Sequence, residues 1–317
     1  MYNHLTREQR YAIYLGLQRK DKISAIARQI EVSPSTVSRE IKRNSTKAGN
    51  YIWYKADEVA QSRKSRTPGN RRISETLRWR ITQFIVEEQW SPMQISGWLK
   101  NTENIKVSHE TIYKIIRSDH SGKLSEYCRH KMKYHRKKSK IKETKATNIK
   151  NRVSIHERPV EADGTRFGDW EMDLIVDYNG NAILTMIERS TNYLLMAKLK
   201  HGKKSMPLAQ TVWRLLLPYK GELLKTITTD NGSEFAAHEW ITDKLNVPVF
   251  FTDAYSSWQK GAIENTNKLI RQYIPKGADI SKFTDKRIAA IQAKINRRPR
   301  LKLNFSTPKD EFFKVYS

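Results

Sequence analysis

One change of pattern, near Phe167, divides this chain of 317 residues. Before it, apolar residues recur at helical spacing between polar, basic faces. After it come short β-prone runs that alternate with helical ones. A chain patterned this way is multidomain, with an all-α N-terminal part and an α/β C-terminal part. The boundaries read from the pattern are a helical domain over 1–46, a basic linker over 47–72, a second helical domain over 73–119, a basic connector over 120–160 and the α/β core over 161–317.

The first 43 residues predict three short helices. Leu5, Ile13 and Leu17 form the stripe of the first, with Thr6 as N-cap and Gln9 three residues on. The second covers Lys22 to Gln29, with Ile23, Ile26 and Ala27 inward. Ser33 and Pro34 then start a third helix that buries Val37 and Ile41. Its other face carries Ser35, Thr36, Ser38, Arg39, Lys42 and Arg43. Helix, tight turn and helix with a basic outer face is a helix-turn-helix unit, whose last helix enters the major groove. Short hydroxyls let backbone approach phosphates, and Arg39 suits a guanine edge. A small bundle with a solvated basic face is the plainer reading. The cap-plus-proline start recurs at Ser91 and Pro92, and Ser108 caps HETIYKIIR. That predicts a second helix-turn-helix unit, with Ser108, His109, Thr111 and Lys114 as outward candidates; a helical packing module is its plain alternative.

Charge points the same way. The chain carries 59 basic and 33 acidic residues, a net of +26. Residues 1–158 hold 35 of those bases against 15 acids, so the positive field sits in the first half. Such a field attracts polyanions through counterion release, which favours nucleic acid over a ribosomal-type or membrane-surface role. Between Arg129 and Lys145 nine residues are basic and only Glu143 is acidic, the composition of a solvated tether. His120, Cys128, His130 and His135 lie near it, but without paired metal-ligand spacing they read as tether rather than zinc site. The single cysteine, the polar N-terminus and the lack of any apolar run of about 18 residues predict a soluble, cytoplasmic protein.

In the core, GDWEMDLIV, NAILTMIE and YLLMAKL predict a three-stranded meander. A helix from Ser205, the strand KTITT, a helix to Leu245, the strand VPVFF and helices over Ala262–Tyr273 and Thr284–Asn296 follow, and a basic tail RRPRLK. The order is that of a mixed five-stranded, ribonuclease-H-like sheet. Three acids fall where it can bring them together: Asp173 in the first strand, Asp230 at the end of the fourth, and Glu264 early in a helix. Phosphodiester cleavage with two metals needs such convergent carboxylates. Asp169 and Glu171 share the strand face of Asp173, so on spacing alone either is also a candidate. Lys260, Lys268 and Arg271 surround Glu264 and are candidate phosphate contacts; Arg271 lies two helical turns from Glu264.

These segments, with AYSSWQKGAIENTNKLIRQYIPKG, INRRPR, STPKDEF and AIARQIEVSPSTVSREIKRN, resemble DDE transposases of bacterial insertion sequences, in the family of insertion sequence thirty. The 33 residues between Asp230 and Glu264 match that family's spacing. The resemblance spans nearly the whole chain. It implies an integrase-like core with Asp173, Asp230 and Glu264 as metal-binding triad, and it favours Asp173 over Asp169 and Glu171. It further implies two Mg2+ ions (or Mn2+), binding of terminal inverted repeats and target DNA, strand cleavage and strand transfer, and a homodimer or higher oligomer assembled on DNA. No nucleotide-binding Gly-rich loop is present, in keeping with a reaction that needs no ATP. A DNA-binding regulator without catalysis and a nuclease for RNA–DNA hybrids are the competing readings.

Overall fold

The computed structural model describes residues 4–46, 48–66, 73–132, 149–254 and 256–316. It forms two compact units, Met1–Glu75 and Thr76–Ser317. The TPGNRR end of the expected linker, most of the Arg129–Lys145 run and His135 lie outside the described residues. Among the described residues no helix is long and apolar enough to cross a membrane.

In the first unit, α1 (Arg7–Gln18) opens on the Thr6–Gln9 capping box. α2 (Ile23–Gln29) and α3 (Pro34–Asn44) follow, with Ser33 capping α3 and Pro34 in its first turn. Ile13, Ile26, Ala27, Ile30 and Val37 form the core. Ile23, expected inward, is 39% exposed, because Ile26, Ala27 and Ile30 already fill the inner face of a two-turn helix. The expected linker contains a further helix, α4 (Trp53–Arg66). Its sequence lacks an apolar stripe, yet Ala56 and the preceding Tyr51 are buried against the first three helices. Polar bonding fixes it as well. The buried Arg10 guanidinium donates to Leu5 O, to Glu40 on α3 at 2.8 Å and to Asp57 on α4 at 2.9 Å. Tyr51 Oη donates to the same Glu40 at 3.3 Å. Arg10→Met is therefore expected to cost about 3–5 kcal/mol, because it strands two acids that have little solvent. Calorimetry should show the N-terminal transition falling while that of Thr76–Ser317 stays put.

The second unit begins with α5 (Glu75–Gln83), a π-helical turn over Phe84–Glu88, α6 (Pro92–Glu103) and α7 (His109–Arg117). Ile95, Leu99, Ile112, Ile115 and Ile116 are buried. α8 (Lys123–Tyr127) lies in the stretch read as a connector. These helices are not separate from the core. Asn101 Nδ2 donates to Asn304 O at 2.6 Å, and Gln272 Nε2 donates to Tyr127 O at 3.0 Å. Gly97 touches the Phe305 ring so closely that a Cβ would lie 2.3 Å from it. Contacts made by glycine and asparagine leave no apolar signature, which is why the sequence suggested an independent domain.

The core sheet has six strands: β1 (Val153–Ser154), β2 (Asp169–Val176), β3 (Ala182–Glu188), β4 (Leu194–Leu199), β5 (Thr226–Thr229) and β6 (Val249–Phe251), in the order β1-β6-β5-β2-β3-β4. β2, β3 and β4 are antiparallel, and β5, β6 and β1 run parallel to β2. The five-strand expectation missed β1, which is two residues long and too short to show alternation. The five longer strands have the ribonuclease-H-like order. α9 (Ser205–Leu216), α10 (His238–Leu245), α11 (Gly261–Ile270), α12 (Asp285–Asn296) and α13 (Pro308–Tyr316) complete the unit. α13 was not expected beyond the basic tail; it buries Phe312 against Trp170 and Tyr193. β2 alternates strictly. Trp170 and Met172 face the layer of α9, α10 and α13, while Ile175 faces α11 and α12. Asp169, Glu171 and Asp173 share the Ile175 side by period two.

Candidate active site

Strand register brings two of the three acids together. β2 and β5 pair in parallel, with Glu171 opposite Thr228. Two residues further on, the same register sets Asp173 beside Asp230, just past the end of β5. Asp230 Oδ1 accepts the Gly232 N–H at 3.1 Å, closing the turn that leaves the strand. Between the two acids lies the Lys260 ammonium, 2.9 Å from Asp230 Oδ2 and 3.4 Å from Asp173 Oδ1. The Lys260 side chain is only 8% exposed. It was expected to contact DNA; the structure instead buries it against the carboxylates, where two negative charges outweigh the cost of losing water. Burial pushes the ammonium pKa down, and Asp173 and Asp230 more than reverse that. Burial pushes the Asp173 carboxyl above the usual range; Lys260 opposes this and the charge of Asp230 adds to it.

Asn267 was not anticipated. Its Nδ2 donates to Asp173 Oδ2 at 2.7 Å, so α11 faces the strand acid. Glu264 is one turn earlier on the same helix face, with its side chain 45% exposed. Its carboxylate bonds Lys268 at 2.8 Å. Lys268 is thus a partner of Glu264 as well as an exposed cation. Arg271, the α11 C-cap, is partly buried, which pushes its pKa down against the pull of Asp173. Among the described residues no three acids, histidines or cysteines are close enough to hold an ion together.

Asp169 and Glu171 are committed elsewhere. Asp169 accepts from both Arg166 nitrogens at 3.0 and 2.8 Å and from Thr226 at 2.7 Å. Glu171 accepts from Arg189 Nε at 3.0 Å and, through its second oxygen, from the Ile263 N–H at 2.9 Å. That amide belongs to the first turn of α11, so Glu171 caps the helix from the neighbouring strand. The loop that presents Lys260 is braced too: Gln259 and Asp253 exchange two bonds of 2.8 Å, and Asp253 also meets His156 at 2.9 Å.

The expected readers lie on surfaces. On α3, Ser35, Ser38, Arg39, Lys42 and Arg43 are exposed and Thr36 is half-buried; the Ser35 and Thr36 hydroxyls also bond Ser33 Oγ. On α7, Ser108, His109 and Lys114 are exposed and Thr111 is half-buried. Removing the cap on α11 has a measurable consequence. Glu171→Ala is expected to speed amide exchange over residues 261–270 and leave α9 unchanged, since it frees the Ile263 N–H and strands Arg189. Unaltered exchange in α11 would show that the strand carboxylate does not hold the helix.

The chain is similar to several known proteins. A helix-turn-helix domain family matches residues 1–44. The transposase for insertion sequence element IS4351 from Bacteroides fragilis is 42% identical over 99% of this chain and 97% of its own. Transposase InsI for insertion sequence element IS30A from Escherichia coli (strain K12) is 36% identical over 97% of this chain and 82% of its own. The catalytic core domain of BIV integrase aligns in space with 48% of this chain and 97% of its own, at 16% identity and a TM-score of 0.37. With relatives this similar along its whole length, the chain belongs to the insertion-sequence transposases of the IS30 and IS4351 kind.

Proposed function

We propose that this chain cuts and joins DNA at the ends of its insertion sequence, with Asp173, Asp230 and Glu264 as the catalytic acids. The observation that carries the proposal is the convergence of Asp173 and Asp230 on one buried cation, beside a helix that bears Glu264 on the facing side. The converging pair Asp173 and Asp230 is of the donor type a hard divalent ion takes. Carboxylate oxygens are what Mg2+ or Mn2+ prefers, and the Lys260 ammonium demonstrates that the two aspartates accept a positive charge between them. Asp173 and Asp230 would hold the ion jointly, with Glu264 completing the set. When bound, such ions stabilise charge on the attacking and leaving oxygens of an in-line displacement.

The chemistry is two phosphodiester exchanges. Water first displaces the 3′ oxygen at the element's end and leaves a free 3′ hydroxyl. That hydroxyl then displaces a 3′ oxygen within target DNA, so one bond forms for each that breaks. The chain's own groups supply positioning. α3 offers Arg39 to base edges and Ser35, Ser38, Lys42 and Arg43 to phosphates; α7 offers Ser108, His109, Thr111 and Lys114. Lys268 and Arg271, on the Glu264 face of α11, suit the phosphates that flank the cut. Asn267 orients Asp173. Joining two ends to one target needs at least two copies, assembled on DNA.

The deciding experiment is cleavage of an end-labelled duplex that carries the element's terminal repeat. Metal-dependent nicking at the repeat boundary is expected from the wild type and from neither Asp230→Asn nor Glu264→Gln, while all three bind the duplex equally. Nicking by either variant would sink the triad; binding without nicking by the wild type would favour a regulator. Lys260 supplies a second prediction. Lys260→Met removes the ammonium that competes for the aspartates, so Mn2+ binding followed by calorimetry should tighten by roughly tenfold or more, about 1.4 kcal/mol. Weaker binding would mean that Lys260 organises the carboxylates for the ion.

A further inference from the structure

The segment that follows α12 contains a group of arginines for which the catalytic acids provide no role. Arg298 is 3% exposed. Its terminal nitrogens reach Gln272 Oε1 at 3.4 Å and Tyr273 Oη at 2.8 Å, and its guanidinium lies 5.9 Å from the Tyr273 ring centre. Among the described residues its Nε has no partner. Arg300 is less provided for: both Nε and Nη2 are buried and neither has a hydrogen-bond acceptor among the described residues. Arg298 and Arg129 are near enough to add like charge. Burial first, then these two arginines, bring the Arg300 guanidinium pKa down to about 10. Among the described residues no carboxylate forms an ion pair with Arg129, Arg298 or Arg300; the nearby Glu88 pairs with Arg297 at 3.5 Å.

Buried arginines kept for packing are ordinarily paired with an acid, because an unpaired buried charge is costly. Here the backbone is fixed instead. The Arg300 N–H donates to Ser306 O at 3.0 Å, and its carbonyl accepts from Leu303 and Phe305 at 3.0 and 2.8 Å. A guanidinium with two buried donors free, set on a fixed backbone in a field of like charge, has the form of an anion receptor. We infer that Arg300, with Arg298 and Arg129, receives a backbone phosphate of bound DNA. Resting on the DNA-cutting reading above, this deepens it by adding a grip outside the helix-turn-helix units. Position favours DNA over a free anion. Gln272 and Tyr273, which hold Arg298, come eight and nine residues after Glu264. From Glu264 to Ile270, the end of α11, the rise is about 9 Å at 1.5 Å per residue, or two to three nucleotide steps of roughly 3.4 Å, and Gln272 and Tyr273 follow directly. A strand that passes the carboxylates in the direction of α11 therefore reaches these arginines.

The test compares the full-length wild type with Arg300→Met and Arg300→Lys on a short random-sequence duplex, with affinity measured against salt. The wild type should weaken steeply. Arg300→Met should lower the log–log slope by about one, the value of one phosphate contact, and Arg300→Lys should keep it. DNA-free Arg300→Met should melt no lower than the wild type, since the buried Nε and Nη2 have no partner to lose among the described residues. An unchanged slope, a lower melting temperature, or a variant that cannot be isolated folded would each make Arg300 a packing residue and overturn the assignment. A flat wild-type salt response would overturn the DNA-cutting reading and this one with it.

Discussion

Three carboxylates on one face of a central strand govern the rest of the catalytic unit. A sheet interior does not tolerate ionised acids without compensation. Each acid on β2 is met by a different cation: Asp169 by Arg166, Glu171 by Arg189 and Asp173 by Lys260. Exposure rises along the strand, from the fully buried Asp169 to Asp173, whose side chain is 28% exposed. The inner two pairs are closed by backbone and side-chain bonds. Only the outermost acid shares its cation with a second carboxylate. One strand thus passes within five residues from closed structural pairs to the exposed pair proposed as catalytic, by losing cover one step at a time.

Glu171 connects the two regimes. It is too deep to meet a substrate, yet its second oxygen ends on the first turn of α11, the helix that carries Glu264 and Asn267. Strand and helix are therefore tied by a charge-assisted bond at one end and by the Asn267–Asp173 bond further along. The acids are held by elements whose relative placement is fixed twice, as the proposed metal-dependent reaction would require of its ligands.

Much of this was legible in the residues. The caps at Thr6, Ser33, Ser91 and Ser108 all form as their spacing implied. The strand alternation of β2 and the position of Asp230 at the end of β5 were also readable, because both follow from local periodicity. What was hidden depends on pairing across the chain. α4 is held by Arg10 and Asp57 rather than by an apolar stripe, so its sequence resembles a linker. β1 exists only because β6 offers it an edge. Lys260 read as one more surface cation in a basic chain, and nothing in its neighbours signalled burial. Asp169, Glu171 and Asp173 were equivalent by spacing and became distinct only through Arg166, Arg189 and Lys260, which lie in other parts of the chain.

The close approach of Gly97 to Phe305, reinforced by Asn101 and Asn304, joins α6 to the loop behind α12. α7, the outward helix of that helical part, thereby belongs to the same compact unit as the carboxylates. In the proposed reaction, a duplex gripped by α7 would lie at a set reach from the carboxylates. Where such a duplex is cut would then be a matter of length, measured by the protein itself, rather than of the bases at the cut.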